Sequence, residues 1–105
     1  MIDLLIKIKR AILSGRYVFS EKARNEMEVD CITELDVAES IVNAVAIYKT
    51  VRSISPYIKN QREYLHIIQW TNLEGLAIYT KGKLVKEEGE EVYYFLISSK
   101  KSIWG

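Results

Sequence analysis

The sequence predicts an α+β fold in which N-terminal helices pack on a C-terminal antiparallel β-sheet. Two observations carry this reading. Apolar residues recur at helical spacing as far as Asn43, and beyond it β-branched and aromatic residues alternate with polar ones. The apolar-rich segments of the second half are joined by short links, which favour antiparallel neighbours over parallel ones. Helices first and strands afterwards is the order expected of α+β, not of a parallel α/β sheet. At 105 residues the chain suits one domain, spanning 1–105, around one core.

The elements follow in order. A helix is expected over 3–14, with Leu4, Leu5, Ile8 and Ile12 on one side, Asp3 near its start and Gly15 placed to end it. Tyr17-Val18-Phe19 reads as a short apolar linker. Ser20 is a candidate N-cap for a second helix over about 21–29 that buries Ala23 and Met27. Thr33-Glu34-Leu35-Asp36 matches a capping box with Asp36 at N3, opening a third helix that runs to about Asn43. Strands are expected over 46–52, 64–70, 76–80 and 92–98. Pro56 closes the first, and 55–62 reads as a polar loop. Asn72-Leu73-Glu74-Gly75 reads as a hairpin connection, Gly82 as a bulge or second tight turn, and Glu87-Glu88-Gly89-Glu90 as a turn. The tail beyond Lys100 is expected to be loose.

Charge is unevenly spread although the net is +1. Residues 1–24 hold six Lys/Arg and two acids, 25–45 six acids and no Lys or Arg, and 46–105 nine Lys/Arg and six acids. Overall charge gives no argument for nucleic-acid binding, but a local basic face is compatible with this division. The single cysteine, Cys31, cannot form an intrachain disulfide and reads as a buried small hydrophobe. With no apolar run of membrane-spanning length and no signal-peptide pattern at the start, a cytoplasmic location is expected.

Several chemistries have no support. The sequence has no glycine-rich phosphate loop, and one Cys and one His cannot supply a zinc site, so neither metal nor cofactor is expected. The acids at 26, 28, 30, 34, 36 and 39 read as a solvated helical face. What remains is a set of basic and hydrogen-bonding residues on or near the predicted strands: Lys49, Arg52, Arg62, Tyr64, His66, Tyr79 and Lys81. Metal-free RNA cleavage needs such a set: a base for the 2′-hydroxyl, an acid for the leaving 5′-oxygen, and cations on the phosphate. His66 titrates near neutrality and suits proton transfer, while Lys and Arg hold phosphate. The plainer alternatives are a half-exposed sheet histidine, packing tyrosines, and lysines that solubilise a sheet face, with Lys83 and Lys86 among them.

Residues 19–37, with Phe19-Ser20-Glu21-Lys22-Ala23-Arg24-Asn25-Glu26-Met27 and Cys31-Ile32-Thr33-Glu34-Leu35-Asp36-Val37, resemble an uncharacterised family of RelE-like proteins within the RelE/ParE toxin superfamily. Lys22 stands where that family carries His, Glu26 where it carries Arg, and Cys31 where it carries Gly. The second half resembles MqsR-type mRNA interferases through Tyr48-Lys49, Tyr64-Leu65-His66-Ile67 and Leu76-Ala77-Ile78-Tyr79-Thr80-Lys81.

The resemblance implies a RelE-like domain acting as a metal-independent endoribonuclease on mRNA, free or ribosome-bound, and inhibited by a cognate antitoxin. It assigns catalysis to Lys49, Tyr64 and Lys81, with Gln61 in a neighbouring loop. Alternation sets His66 on the same face as Tyr64 and adds it to the catalytic set. Arg52, Gln61, Arg62, Tyr79 and Lys83 are the expected RNA contacts. The alternative is a catalytically inactive module of the same fold that binds RNA or protein. A homodimer through an apolar edge strand at 92–98 is a further expectation.

Overall fold

The computed structural model describes residues 4–53, 63–86 and 92–103. Three helices, α1 (Leu4–Leu13), α2 (Glu21–Asp30) and α3 (Glu34–Asn43), pack on one face of a five-stranded sheet. Its strands are β1 (Tyr17–Phe19), β2 (Lys49–Ser53), β3 (Glu63–Thr71), β4 (Ala77–Lys86) and β5 (Val92–Lys101), in the order β1-β5-β4-β3-β2. The α+β fold is as the sequence predicts, but the sheet is mixed. Tyr17-Val18-Phe19 is not a linker: it pairs in parallel with Tyr94-Phe95-Leu96 at one edge. Strand β5 also runs on to Lys101, beyond the expected end at 98. Pro56, the polar loop and the turn at 87–90 lie outside the described residues.

Local chemistry sets the helix ends. The Ser20 hydroxyl accepts from the Ala23 amide at 3.0 Å and donates to the Ile97 carbonyl at 2.9 Å, so one side chain starts α2 and ties it to β5. Both halves of the capping box form at α3: Thr33 Oγ1 accepts from the Asp36 amide, and Asp36 Oδ2 from the Thr33 amide. The end of α2 is a Schellman turn. Cys31 N–H donates to the Glu28 carbonyl and Ile32 N–H to the Met27 carbonyl, with Met27 and Ile32 both in the core. Cys31 occupies the left-handed position of that turn (φ 56°) and is exposed, not buried as expected. Geometry, not burial, defines its place, at the position where the resembling family carries Gly.

The core lies between the helices and the sheet. Ile8, Ile12, Met27, Val37 and Ile41 meet Ile68, Ile78, Tyr94 and Leu96. Gly82 marks a bulge: the β4–β5 register shifts between Lys81 and Gly82 while the strand continues. A Cβ at Gly82 would stand 2.7 Å from both the Phe95 carbonyl oxygen and the buried Tyr94 ring, so the site requires glycine. Burial pushes the Tyr94 phenol pKa far up and keeps it neutral.

The acidic segment does not simply face water. Strand β5 extends past the end of β1, exposing edge amides, and α2 covers them. Glu26 accepts from Ser98 Oγ at 2.7 Å and from the Ser99 amide at 3.1 Å, and Asp30 accepts from the Lys101 amide at 2.8 Å. Residues 99 and 101 point their N–H groups the same way, and Glu26 and Asp30 are one helical turn apart, so the periods match. On α3, Asp36 accepts from Asn72 Nδ2 and Glu39 from the Leu73 amide, which fixes the β3–β4 turn. Asn72 Oδ1 in turn accepts from the Glu74 and Leu76 amides, with Gly75 at φ 88°. These long-range bonds correct the reading of a solvated face at Glu26, Asp30, Asp36 and Glu39, whereas Glu28 and Glu34 are exposed as expected. The dimer expectation is corrected too: within the expected edge at 92–98, Tyr94-Phe95-Leu96 pair with β1, and α2 covers the amides beyond.

Candidate functional site

Residues directly opposite each other in a ladder share a face, so register decides which predicted side chains meet. Lys49 pairs with Ile67, and Ile67 pairs with Lys81. Both lysines therefore rise on the face opposite the helices, two strands apart, or about 10 Å between backbones. Their flexible four-carbon stems can converge on one phosphate or neighbouring ones. Tyr79 and Lys83 follow Lys81 at alternate positions on that face. Lys100, paired with Tyr79, carries its ammonium 5.3 Å from the Tyr79 ring centroid, and Lys83 lies 5.8 Å from that of Phe95. Lys83 also forms an ion pair with Glu63. Burial, with the negative charge of Glu26 second, holds the Tyr79 phenol pKa above its ordinary value, so it stays protonated. The open face thus combines lysines, aromatic rings and half-buried aliphatic side chains such as Leu65 and Ile67.

The same ladder separates the other expected residues. Thr50, His66, Gly82 and Leu96 form a row on the helix-packed face, and Arg52 stands opposite Tyr64 on that face. His66 is 6% exposed and its Nδ1 lies 3.1 Å from Thr50 Oγ1. Burial lowers its pKa, so the imidazole is neutral at pH 7. Tyr64 and His66 do share a face, as alternation requires, but it is the face away from Lys49 and Lys81. The expected four-residue catalytic set is accordingly divided by the sheet, because β3 shows its even residues to the helices and its odd ones to the open side. Arg52 is likewise removed from the lysine row. Gln61 and Arg62 lie outside the described residues.

Sequence reasoning did not include Lys100 or Phe95 in the open face. Their signal is positional: both emerge once β5 is set beside β4. The substituted pair Lys22 and Glu26 forms an ion pair at 3.3 Å across one turn of α2. Burial works against charge on Glu26, but the Ser98 hydroxyl, the Ser99 amide and Lys22 together hold its carboxyl below the ordinary range. Where the resembling family carries His and Arg, this chain carries a structural clamp on β5. Among the described residues there is no cluster of ligands fit for a metal ion, and no helix long and apolar enough to cross a membrane. No family model, curated protein or solved structure matches the chain.

Proposed function

We propose that the chain is a RelE-like RNA-binding module that takes an mRNA strand across its open sheet face. The observation that carries this reading is the Lys49–Ile67–Lys81 row, with Tyr79, Lys83 and Lys100 on the same surface. Lysines neutralise phosphates and aromatic rings accept unstacked bases, a pairing suited to single strands. Binding without cleavage is favoured over the imidazole-based nuclease because His66 and Tyr64 face the helices, away from that row.

A second reading rests on one specific neighbour. Tyr79 is protonated and two residues from Lys81 on the same strand face. In an endoribonuclease toxin held by a cognate antitoxin, Lys49 and Lys81 would hold the scissile phosphate, and the 2′-hydroxyl would lose its proton to water. The 2′-oxygen would attack the phosphorus, and Tyr79 would protonate the departing 5′-oxygen. Either activity belongs in the cytoplasm, where mRNA is translated.

Fluorescence anisotropy with a labelled single-stranded RNA tests the proposal. The combined Lys49→Ala and Lys81→Ala variant is expected to bind at least about tenfold more weakly and to lower the salt slope by about 1.4. Arg52→Ala, on the other face, changes it far less. Equal affinity of the double variant and the wild type refutes the open-face site. Incubation of the RNA in EDTA separates the two readings: intact RNA supports the module, and cleavage lost in Tyr79→Phe with binding retained supports the nuclease.

A further inference from the structure

We propose that two copies of this chain pair through β2, strand against antiparallel strand, and so join their two five-stranded sheets into one. The inference does not rest on the RNA reading above. It also differs from pairing through 92–98, which β1 and α2 cover. The two ends of the sheet contrast in this respect. Past β1, the amides of β5 are covered by Glu26 and Asp30 of α2. At the other end β2 is the outermost strand, and no described residue pairs with its outer side or caps it. A strand in that position is a template for a further strand.

Register decides which strand fits. Two copies related by a two-fold axis perpendicular to the sheet keep their helices on the same side, and directly opposed residues then share a face. The axis therefore passes through a residue, not between two. Only an axis through Val51 pairs all of Lys49–Ser53 with a counterpart. Lys49 then stands opposite the second copy's Ser53, Thr50 opposite its Arg52, and Val51 opposite its Val51. No like charges oppose each other, whereas an axis through Lys49 or Arg52 sets two cations together. The centre is apolar: Val51 and Leu65 share a row, which pairing extends to Leu65–Val51–Val51–Leu65 on the open face. At each end Ser53 continues to Glu63, so Lys49 meets an opposite charge two strands away in the other copy. A basic edge alone would also suit an acidic peptide, but the match of this strand to itself along its whole length favours a second copy. Pairing also lays the two open faces edge to edge, with Lys49 and Lys81 of both copies on one surface. Five residues a side is a small contact beside the roughly 800 Å² per partner of a standard interface, so the dimer is expected to be reversible.

Sedimentation equilibrium of the full chain tests the proposal. The average mass is expected to rise with concentration from one chain toward two and no further, because a two-fold pairing uses both edges. Val51→Lys sets two lysines against each other on the axis, and Ser53→Lys sets a lysine against Lys49 at either end. Each is expected to raise the dissociation constant at least about tenfold. Cross-linking tests the register. In a Cys31→Gly background, Val51→Cys is expected to join two chains by a disulfide under mild oxidation. Ser53→Cys is not, since the two copies of residue 53 lie at opposite ends of the pairing. The proposal is overturned if the chain stays monomeric at millimolar concentration, which leaves the edge to a different strand. It is equally overturned if both lysine variants dimerise like the wild type, or if Ser53→Cys cross-links as readily as Val51→Cys.

Discussion

The two faces of the sheet obey different rules. On the helix-packed side nearly every residue is fixed by contact: Ile68, Ile78, Tyr94 and Leu96 are fully buried, the Thr80 hydroxyl donates to the Ile68 carbonyl, and the Ser98 hydroxyl donates to Glu26. On the open side the side chains are half-buried at most, and lysines sit beside rings and aliphatic groups. One strand, β3, supplies both, sending His66 and Ile68 inward and Leu65 and Ile67 outward. The contrast teaches that chemical suitability and sequence proximity do not make a site. Tyr64 and His66 are only a few residues from Ile67, yet they serve the other surface.

The packed face should break most readily at its tightest point. Gly82→Ala places a methyl against the Tyr94 ring and the Phe95 carbonyl, and a loss of about 3 kcal/mol is expected in denaturant unfolding. Glu26→Ala removes the acceptor for Ser98 and Ser99, with an expected loss of about 2 kcal/mol. Because this also uncovers β5 edge amides, the variant should associate more with rising concentration, measurable by sedimentation. A smaller change of opposite sign is expected at the exposed turn. Cys31→Gly relieves the left-handed residue and should raise stability by about 1 kcal/mol in the same assay.

Acid should act on the packed face in two stages. The His66 pKa is lowered in the folded state, so the unfolded chain protonates first. Stability therefore falls as pH drops below 6.5, the ordinary histidine value, toward the folded one. Glu26 and Asp36 have lowered carboxyl pKa values. For Asp36 the Thr33 amide is the leading cause, with Asn72 and the Thr33 hydroxyl adding to it against some burial. Their stabilisation is present above the ordinary carboxylate range and is lost only as pH falls through the folded values. Unfolding midpoints at pH 7.5, 5.5 and 3.5 check both stages. The first step should vanish in a His66→Asn variant and the second should persist.

Local signals in the sequence reached some of this fold. Ser20, and Thr33 with Asp36, announced two helix starts because caps are written within four residues. Asn72 to Gly75 announced a turn for the same reason. Strand β1 was not legible: three residues carry too little pattern, and their strand character comes from β5, far along the chain. The roles of Glu26, Asp30 and Glu39 were hidden likewise, since each caps an amide more than 30 residues away. Alternation alone placed Tyr64 with His66, but only register could show that Lys49 and Lys81 flank Ile67 and so belong to the opposite surface.

The most direct measurement maps RNA contact onto these two faces. Binding of a short single-stranded RNA to the labelled protein, followed residue by residue by NMR, is predicted to perturb Lys49, Ile67, Tyr79, Lys81 and Lys83 while leaving Ile41, Ile68 and Ile78 unmoved. Perturbation concentrated on the helices, with the Lys49–Ile67–Lys81 row unchanged, would contradict the account.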